Sequence, residues 1–292
     1  MSLTSEQKEQ QRTNLIRTTL DNFLILSEGN VKDVKHIIKH YGIDFIDAEG
    51  SSFLHHANAS NTAYLLSNGF TLPLDSVNNR NQTALFGGCV EKTEILLSYG
   101  ANINHLDLYN ENPLFTTQKM DVIDLLLEKG IDCTVLNKEK STLLFSADKK
   151  KAEKILKHAD IEINHRNQYG DNALLYQDME SLIYYISKGM DIHNINNKGD
   201  NILLSIMLFE NLIGEDKRDD LNEHMNSSKI NKEMTDKIAY LIKSGISPYM
   251  KNKEGYCAAD FLNGELIALT NKLFLKEILN ETKASFNNKN RL

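Results

Sequence analysis

The residues of this 292-residue chain that could take part in covalent chemistry are scattered. Cys89 follows two glycines in FGGC (86–89), and a thiol beside a base can act as a nucleophile. No nearby residue is suited to activate it, and the segment falls inside a repeated helical pattern. We therefore interpret the two glycines as a sign of close packing. The sequence also lacks the phosphate-loop, dinucleotide-binding, HExxH and GxSxG motifs, so we expect no catalytic residues, no cofactor and no enzymatic activity.

Two histidines invite a metal-binding interpretation. His105 in INHLD and His165 in INHRN occupy the same position in segments that are two repeats apart. Packed helical layers are about 8–10 Å apart, which separates the rings by about 16–20 Å. Zinc holds its nitrogen ligands at about 2 Å, so these two side chains do not share one ion. We expect no metal site.

Composition and charge limit the classes of function. The chain is 41% hydrophobic and 25% charged, as in folded globular proteins. Its 33 basic and 40 acidic residues give a net charge of −7, which argues against a nucleic-acid partner. Three cysteines without a CxxC pair favour a reducing compartment. No segment approaches 18 uninterrupted apolar residues, so we expect a cytoplasmic protein that does not bind membranes.

The chain contains an internal sequence repeat, which would position any functional site. A leucine in a short apolar motif recurs at steps of 29 to 31 residues, at Leu54, Leu85, Leu114, Leu144, Leu174 and Leu203. A seventh copy, YCAADF, places Ala259 at this position after a step of 56 residues. Self-similarity at a fixed period indicates a repeat architecture.

Each repeat reads as two helices and a turn. The leucine motif starts a short helix, and an amphipathic segment with an apolar pair follows it. In most repeats that segment ends at a glycine, which favours the left-handed conformation found after helix ends: Gly42, Gly69, Gly100, Gly130, Gly189 and Gly245. A polar stretch rich in Asn, Asp and Gly then forms a turn, and its Asn or Asp side chains can cap the next short helix.

This pattern resembles the ankyrin repeat. The closest matches are GSSFLHHA (50–57), GANIN (100–104) with Asp107, and NPLF (112–115). The resemblance implies an all-α fold, a helical solenoid of about seven stacked helix-turn-helix units with hairpin turns. Ankyrin repeats span about 33 residues. The shorter period here predicts that the first helix is cut to little more than one turn, or that the loop after it is lost.

The repeat pattern also predicts the domain organisation. Residues 1–20 are assigned to a polar N-terminal segment or cap helix, 21–282 to the repeats, and 283–292 to a disordered tail. A charged insertion at about 209–236 interrupts the sixth repeat and carries more than half of the net negative charge. Such an insertion is either a mobile solvated loop or part of a binding surface.

The resemblance implies a non-catalytic protein-interaction module that binds another protein through its hairpin tips and concave face. We expect a monomer whose protein partner is basic, with the chain acting as an inhibitor, immunity protein or antitoxin that neutralises a toxin. The alternatives are a secreted effector that binds a host protein, and an enzyme or enzyme subunit with a site at 209–236.

The candidate partner-binding residues are large or charged side chains at the turns and in the insertion: Arg80, His105, Tyr109, Glu111, Arg166, Tyr169, Lys198, Tyr256, Asp216, Asp219 and Asp220. Among them, Tyr109, Tyr169 and Tyr256 are predicted to occupy comparable turn positions.

Overall fold

The structure, a computed structural model, describes residues 27–44, 46–212, 232–262 and 264–289. The predicted cap segment 1–20 and the insertion residues Asp216, Asp219 and Asp220 lie outside the described residues. Within the described residues the fold is all-α, as predicted, and contains no β-strand. Two isolated bridges, Ile46 to Ser52 and Ile195 to Asn201, close turns between helices. No helix in these ranges is long and apolar enough to span a bilayer.

Most repeats contain a very short helix followed by a longer one. The short helices, which we call starter helices, are Phe53–His56, Ala84–Gly87, Pro113–Thr116, Leu143–Ser146, Ala173–Tyr176 and Ala258–Phe261. Long helices follow the first five of them, at Ala59–Ser67, Val90–Ser98, Met120–Glu128, Lys149–His158 and Met179–Ser187, and a sixth long helix, Lys232–Lys243, follows helix Ile202–Leu212. Three further helices are Val31–Tyr41, Ile202–Leu212 and Gly264–Lys289. The predicted shortening of the first helix is confirmed, because starter helices contain four residues each.

Side chains from the preceding turn start several of these short helices. Asn112 accepts a hydrogen bond from the backbone N–H of Leu114 at 3.2 Å, and Asn172 does the same for Leu174 at 3.2 Å. Each asparagine thereby satisfies one of the donors that a helix leaves unpaired at its beginning. The predicted capping of starter helices by turn asparagines is confirmed at these two positions.

Glycines end most of the long helices. Gly69, Gly100, Gly130, Gly189 and Gly245 have φ between 79° and 92°, the left-handed region that costs other residues more. The prediction that these glycines terminate helices is confirmed. In the fourth repeat Ala159 takes this place, and its N–H donates to the Ile155 carbonyl at 2.9 Å.

The core consists of two recurring apolar positions. The six motif leucines, from Leu54 to Leu203, are at most 3% exposed, which confirms their predicted burial. A second set, one from each long helix, is at most 1% exposed: Leu65, Leu96, Leu126, Ile155, Tyr185 and Leu241. A four-residue helix buries too little surface alone, so these positions stabilise a repeat only through its neighbours.

The chain divides into two compact units. The N-terminal unit comprises residues 1–138 and 150–161, and the C-terminal unit comprises 139–149 and 162–292. In the N-terminal unit, the long helices 59–67, 90–98 and 120–128 pack against one another in chain order. In the C-terminal unit, helix 232–243 packs against both 179–187 and 264–289.

The insertion and the tail differ from their predicted limits. Residues 209–212 extend helix Ile202–Leu212, and residues 232–236 begin helix Lys232–Lys243, so both ends of the predicted insertion are helical. The last helix continues to Lys289, which makes residues 283–289 helical rather than part of a disordered tail. The physical reason is that no glycine or proline follows Gly264 to end the helix.

Candidate protein-interaction surface

The polar stretches that follow the long helices contain a recurring five-residue turn. Each turn begins with Asp or Asn and has a left-handed fourth residue, with φ between 57° and 91°. We call these segments tip turns: 47–51, 78–82, 107–111, 137–141, 167–171, 196–200 and 252–256. Glycine occupies the fourth position in four of them, and Asn81, Asn110 and Lys140 occupy it in the others.

The first side chain of a tip turn fixes the backbone of the rest. In the third turn, Asp107 Oδ1 accepts hydrogen bonds from the N–H groups of Tyr109 at 2.7 Å and Glu111 at 3.1 Å. Asp and Asn are suited to this because their short side chains reach backbone donors two residues later. The turn conformation is therefore encoded locally.

Backbone hydrogen bonds join successive turns within each compact unit. In every case the second residue of one turn donates its N–H to the carbonyl of the third residue of the turn before it. In the N-terminal unit the pairs are Asn79 to Glu49 (2.8 Å), Leu108 to Arg80 (3.0 Å) and Lys138 to Tyr109 (2.8 Å). In the C-terminal unit they are Gln168 to Glu139 (2.9 Å), Asn197 to Tyr169 (2.9 Å) and Lys253 to Lys198 (3.0 Å).

Four of the predicted partner-binding residues share the third turn position. Arg80 and Tyr109 belong to the N-terminal unit, and Tyr169 and Lys198 to the C-terminal unit; all four are exposed. Tyr109 is 61% exposed and Tyr169 is 48% exposed. Because their carbonyls are held by the next turn, these side chains project from a hydrogen-bonded backbone.

Tyr256 does not occupy a comparable position. It is the fifth residue of its turn, after Gly255, and its ring lies 6.1 Å from the Phe261 ring, centroid to centroid. The prediction that it matches Tyr109 and Tyr169 is wrong, because the turn begins at Asn252 rather than two residues later. Tyr256 is nevertheless 44% exposed.

Two other candidates hold neighbouring turns together. His105 Nε2 lies 2.8 Å from the Asn81 carbonyl oxygen, which belongs to the preceding turn. Glu111 Oε1 accepts a hydrogen bond from Asn137 Nδ2 at 3.1 Å. Both side chains are half-buried, so their polar groups stabilise the array of turns.

Arg166 has a similar structural role in the C-terminal unit. Its Nε donates to the Gly170 carbonyl of its own turn at 2.9 Å, and Nη2 donates to the Ile195 carbonyl at 2.5 Å. These bonds occupy part of the donor set that a guanidinium uses to bind partner carboxylates. The residue itself remains exposed at the protein surface.

A second set of contacts between turns pairs one carboxylate with one amide. The pairs are Gln82 with Asp107 (3.1 Å) and Asn137 with Glu111 (3.1 Å) in the N-terminal unit, and Asn196 with Asp171 (3.0 Å) and Asn252 with Asp200 (2.7 Å) in the C-terminal unit. An amide can donate to a carboxylate, whereas two carboxylates repel each other. Burial raises the pKa of Asp171, the charge of Asp200 raises it further, and the Asn196 amide opposes the rise.

An exposed apolar row in the N-terminal unit was not predicted from the sequence. Three of the four residues that directly precede a tip turn in this unit, Ile46, Val77 and Leu136, are 49%, 39% and 40% exposed, and the fourth, Leu106, is half-buried. The neighbouring turn residue Leu108 is 47% exposed. The corresponding residues of the C-terminal unit are Arg166, Ile195 and Lys251. An apolar residue immediately before the Asp or Asn that starts a turn was the signal that could have identified this row.

Two buried lysines also escaped prediction. Lys92 is 4% exposed and its Nζ donates to the His55 carbonyl at 3.0 Å; burial lowers the pKa of Lys92 to about 8. Lys151 is fully buried, and its Nζ donates to the carbonyls of Phe115 and Thr117, both at 3.0 Å. Both lysines lie eight residues before the end of their repeat, at Gly100 and Ala159, and this shared register could have indicated an equivalent role.

Cys89 is the residue that the sequence raised as a candidate nucleophile. Cys89 precedes helix Val90–Ser98 and is half-exposed. A Cβ added at Gly88 would lie 2.8 Å from Thr93 Oγ1, so close packing explains at least this glycine of the FGGC segment. Within the described ranges, no three His, Cys, Asp or Glu side chains are placed to hold a metal ion.

The chain was compared with protein-family models and with curated proteins. No family model matches the chain, and no curated protein is significantly similar to it.

Proposed function

We propose that this chain is a non-catalytic protein-binding molecule whose contact surface is the row of tip turns. We further propose that its repeats form an ankyrin-like helical solenoid of about seven units. The recurring turn, the starter helix and the long helix support this fold, because each repeat depends on its neighbours for burial.

One observation carries the functional proposal: large side chains are exposed at the same position of successive hydrogen-bonded turns. A backbone that is already ordered loses little entropy when a partner binds. Tyrosine and arginine dominate the binding energy of many interfaces, and Tyr109, Tyr169 and Arg80 occupy this position. The exposed apolar row beside Tyr109 in the N-terminal unit supports the same use, since exposed apolar patches mark interaction sites.

The net charge of −7 favours a basic partner. Opposite charges accelerate association and make its rate depend on salt. This supports a role in inhibiting a basic protein. We expect the association rate constant to fall as the salt concentration rises.

The test compares tip tyrosines with a tyrosine elsewhere. The wild-type chain is used to isolate a partner from its native host, and the partner's affinity is then measured for Y109A, Y169A and Y99A. Tyr99 is 54% exposed but ends helix Val90–Ser98 and belongs to no tip turn, which makes it a matched control. We expect Y109A or Y169A to lose at least about 2 kcal/mol of binding free energy and Y99A to lose less than 0.5 kcal/mol or so.

The result that would contradict the proposal is equally specific. If both tip variants bind as tightly as the wild type while Y99A binds weakly, the partner contacts the long helices instead. Melting temperatures of all three variants should stay within a few degrees of the wild type, because exposed side chains contribute little to folding.

A further inference from the structure

The last helix carries an apolar stripe on its exposed side. Leu275, Ile278 and Leu279 of helix Gly264–Lys289 are 60%, 42% and 59% exposed. At 3.6 residues per turn they lie within an arc of about 100°. Three large apolar side chains within little more than one helical turn form a continuous patch, and such patches on folded proteins are commonly binding sites.

The opposite side of this helix is already used for folding. Thr270 is 1% exposed, helix Lys232–Lys243 packs against this helix, and the Phe274 ring lies 5.5 Å from the Tyr249 ring. Within the C-terminal unit, the stripe is therefore not needed to attach the helix. Its exposure requires a different explanation.

Positive charge borders one edge of the stripe. Lys272 and Lys276 are exposed, and on the helical wheel they lie about 60° and 100° from Leu275, on the side of Leu279. No carboxylate occurs three or four residues from either lysine in the sequence, so the helix provides neither with an intrahelical ion pair. The two lysines are themselves four residues apart, a spacing at which like charges repel. A basic edge is a distinctive feature in a chain of net charge −7.

We propose that this stripe is a second binding surface, which accepts an acidic amphipathic helix from a partner protein. The partner's apolar side chains would cover Leu275, Ile278 and Leu279, and its carboxylates would pair with Lys272 and Lys276. Helices that pair in this way use an apolar seam flanked by complementary charges. This surface lies outside the tip turns, so the proposal does not depend on the function proposed for them.

Charge and size disfavour the other occupants. A second copy that packed antiparallel about a two-fold axis would bring each lysine edge against its own counterpart. An anionic membrane would attract the lysines but repel a chain of net charge −7, and the stripe covers little more than one turn.

The experiment measures the binding of synthetic helical peptides to the full chain by fluorescence anisotropy. One labelled peptide has about three heptads with leucine at the seam and glutamate on both flanks. A second peptide replaces the glutamates with lysines. We expect the acidic peptide to bind at least tenfold more tightly than the basic one.

Substitutions then locate the binding site. L275S/L279S and K272Q/K276Q should each weaken binding of the acidic peptide at least tenfold, whereas Y109A, in a tip turn, should leave it unchanged. Because Leu275 and Leu279 are exposed, L275S/L279S should melt at the wild-type temperature. These variants test the stripe independently of the tip turns. If the acidic peptide fails to bind the stripe, the function proposed for the tip turns is not affected.

Several outcomes would overturn the proposal. Equal binding of the acidic and basic peptides, or no loss in L275S/L279S, would exclude a charge-matched helix at this surface. Sedimentation of the wild type as a dimer and of L275S/L279S as a monomer would assign the stripe to a second copy. Stronger binding to vesicles of anionic lipid than to the acidic peptide would assign it to a membrane.

Discussion

The two compact units satisfy backbone carbonyls at their starter helices with donors of different charge. In the N-terminal unit, carbonyls in or just after the starter helices accept hydrogen bonds from the ammonium groups of Lys92 and Lys151. In the C-terminal unit, the carbonyls of Leu144 and Ala147 accept them from the Tyr185 hydroxyl at 3.0 and 2.9 Å. Both arrangements pair groups that would be costly to bury alone. The difference is that burying a cation also removes the hydration of its charge.

The units also differ at their tip turns. The residue before the turn is apolar and exposed at Ile46, Val77 and Leu136 in the N-terminal unit, and basic at Arg166 and Lys251 in the C-terminal unit; the remaining two, Leu106 and Ile195, are apolar and half-buried. Equivalent turns of the two units therefore present chemically distinct side chains. The comparison shows that the repeat fixes where a side chain lies, whereas the type of residue at that position differs between the units.

The largest expected effect comes from removing a buried cationic donor. K151A should lower the free energy of unfolding by about 3–5 kcal/mol, because it leaves the Phe115 and Thr117 carbonyls without this donor and opens a cavity. Chemical denaturation measures the change. K150A, at the exposed neighbouring lysine, is the control and should shift stability by less than about 0.5 kcal/mol. Equal losses in the two variants would show that the Lys151 hydrogen bonds contribute nothing.

The second prediction concerns the pH dependence of the N-terminal unit. Lys92 has a folded pKa of about 8, whereas an unfolded lysine titrates near pH 10.4, so the unfolded chain binds more protons between these values. Stability contributed by Lys92 therefore increases as pH rises through this window. Relative to K92M, the wild type should gain up to about 3 kcal/mol between pH 7 and pH 10.

Denaturation of the wild type and K92M in the same buffers isolates this effect from other alkaline changes. K129M, at an exposed lysine of the N-terminal unit, serves as the control and should track the wild type. If the difference in unfolding free energy between the wild type and K92M stayed constant from pH 7 to pH 10, the lowered pKa of Lys92 would be refuted.

The third prediction tests the neutral donor of the C-terminal unit. Y185F removes the hydroxyl that donates to Leu144 and Ala147 and should cost about 1–2 kcal/mol, less than K151A. The ring continues to fill the core, so no cavity contributes. Y184F, at the half-buried neighbouring tyrosine, is the comparison and should cost less. A loss in Y185F as large as in K151A would remove the distinction between charged and neutral donors.

The smallest effect is expected at the carboxylate–amide pairs. The folded pKa of Asp171 is raised, so the ionised form disfavours folding at neutral pH, and stability associated with this group falls as pH rises through the raised pKa. D171N keeps an acceptor for Asn196 and should melt at or slightly above the wild-type temperature at pH 7. Thermal unfolding at pH 4 should show this advantage reduced. If D171N gained more in melting temperature over the wild type at pH 4 than at pH 7, the direction of the Asp171 pKa shift would be contradicted.

E111Q is the corresponding substitution in the N-terminal unit. Glu111 pairs with Asn137 and is half-buried, so neutralising it should change the melting temperature less than D171N does at pH 7. Together the two variants show whether deeper burial of the carboxylate decides the outcome.

Much of the fold follows from local sequence signals that repeat. Leu114 and its equivalents fix the register, Asn112 marks the start of a helix, and Gly100 marks the end of one. Each signal acts through residues a few positions away, which is why a period of 29 to 31 residues was enough to place most helices. Of the candidate partner-binding residues, Arg80, Tyr109, Tyr169 and Lys198 share one exposed turn position, and their role in binding stays a prediction.

Only the tertiary structure decided what the remaining residues do. The burial of Lys92 and Lys151 was not predicted, because their acceptors are carbonyls 37 and 34 to 36 residues earlier in the chain. Arg166 reads as an interface anchor, but Ile195, 29 residues later, accepts one of its hydrogen bonds. Contacts between repeats depend on which side chains face each other after packing. A periodic sequence specifies that repeats are neighbours, and the packed side chains decide whether a charged residue lies in the core or remains available to a partner.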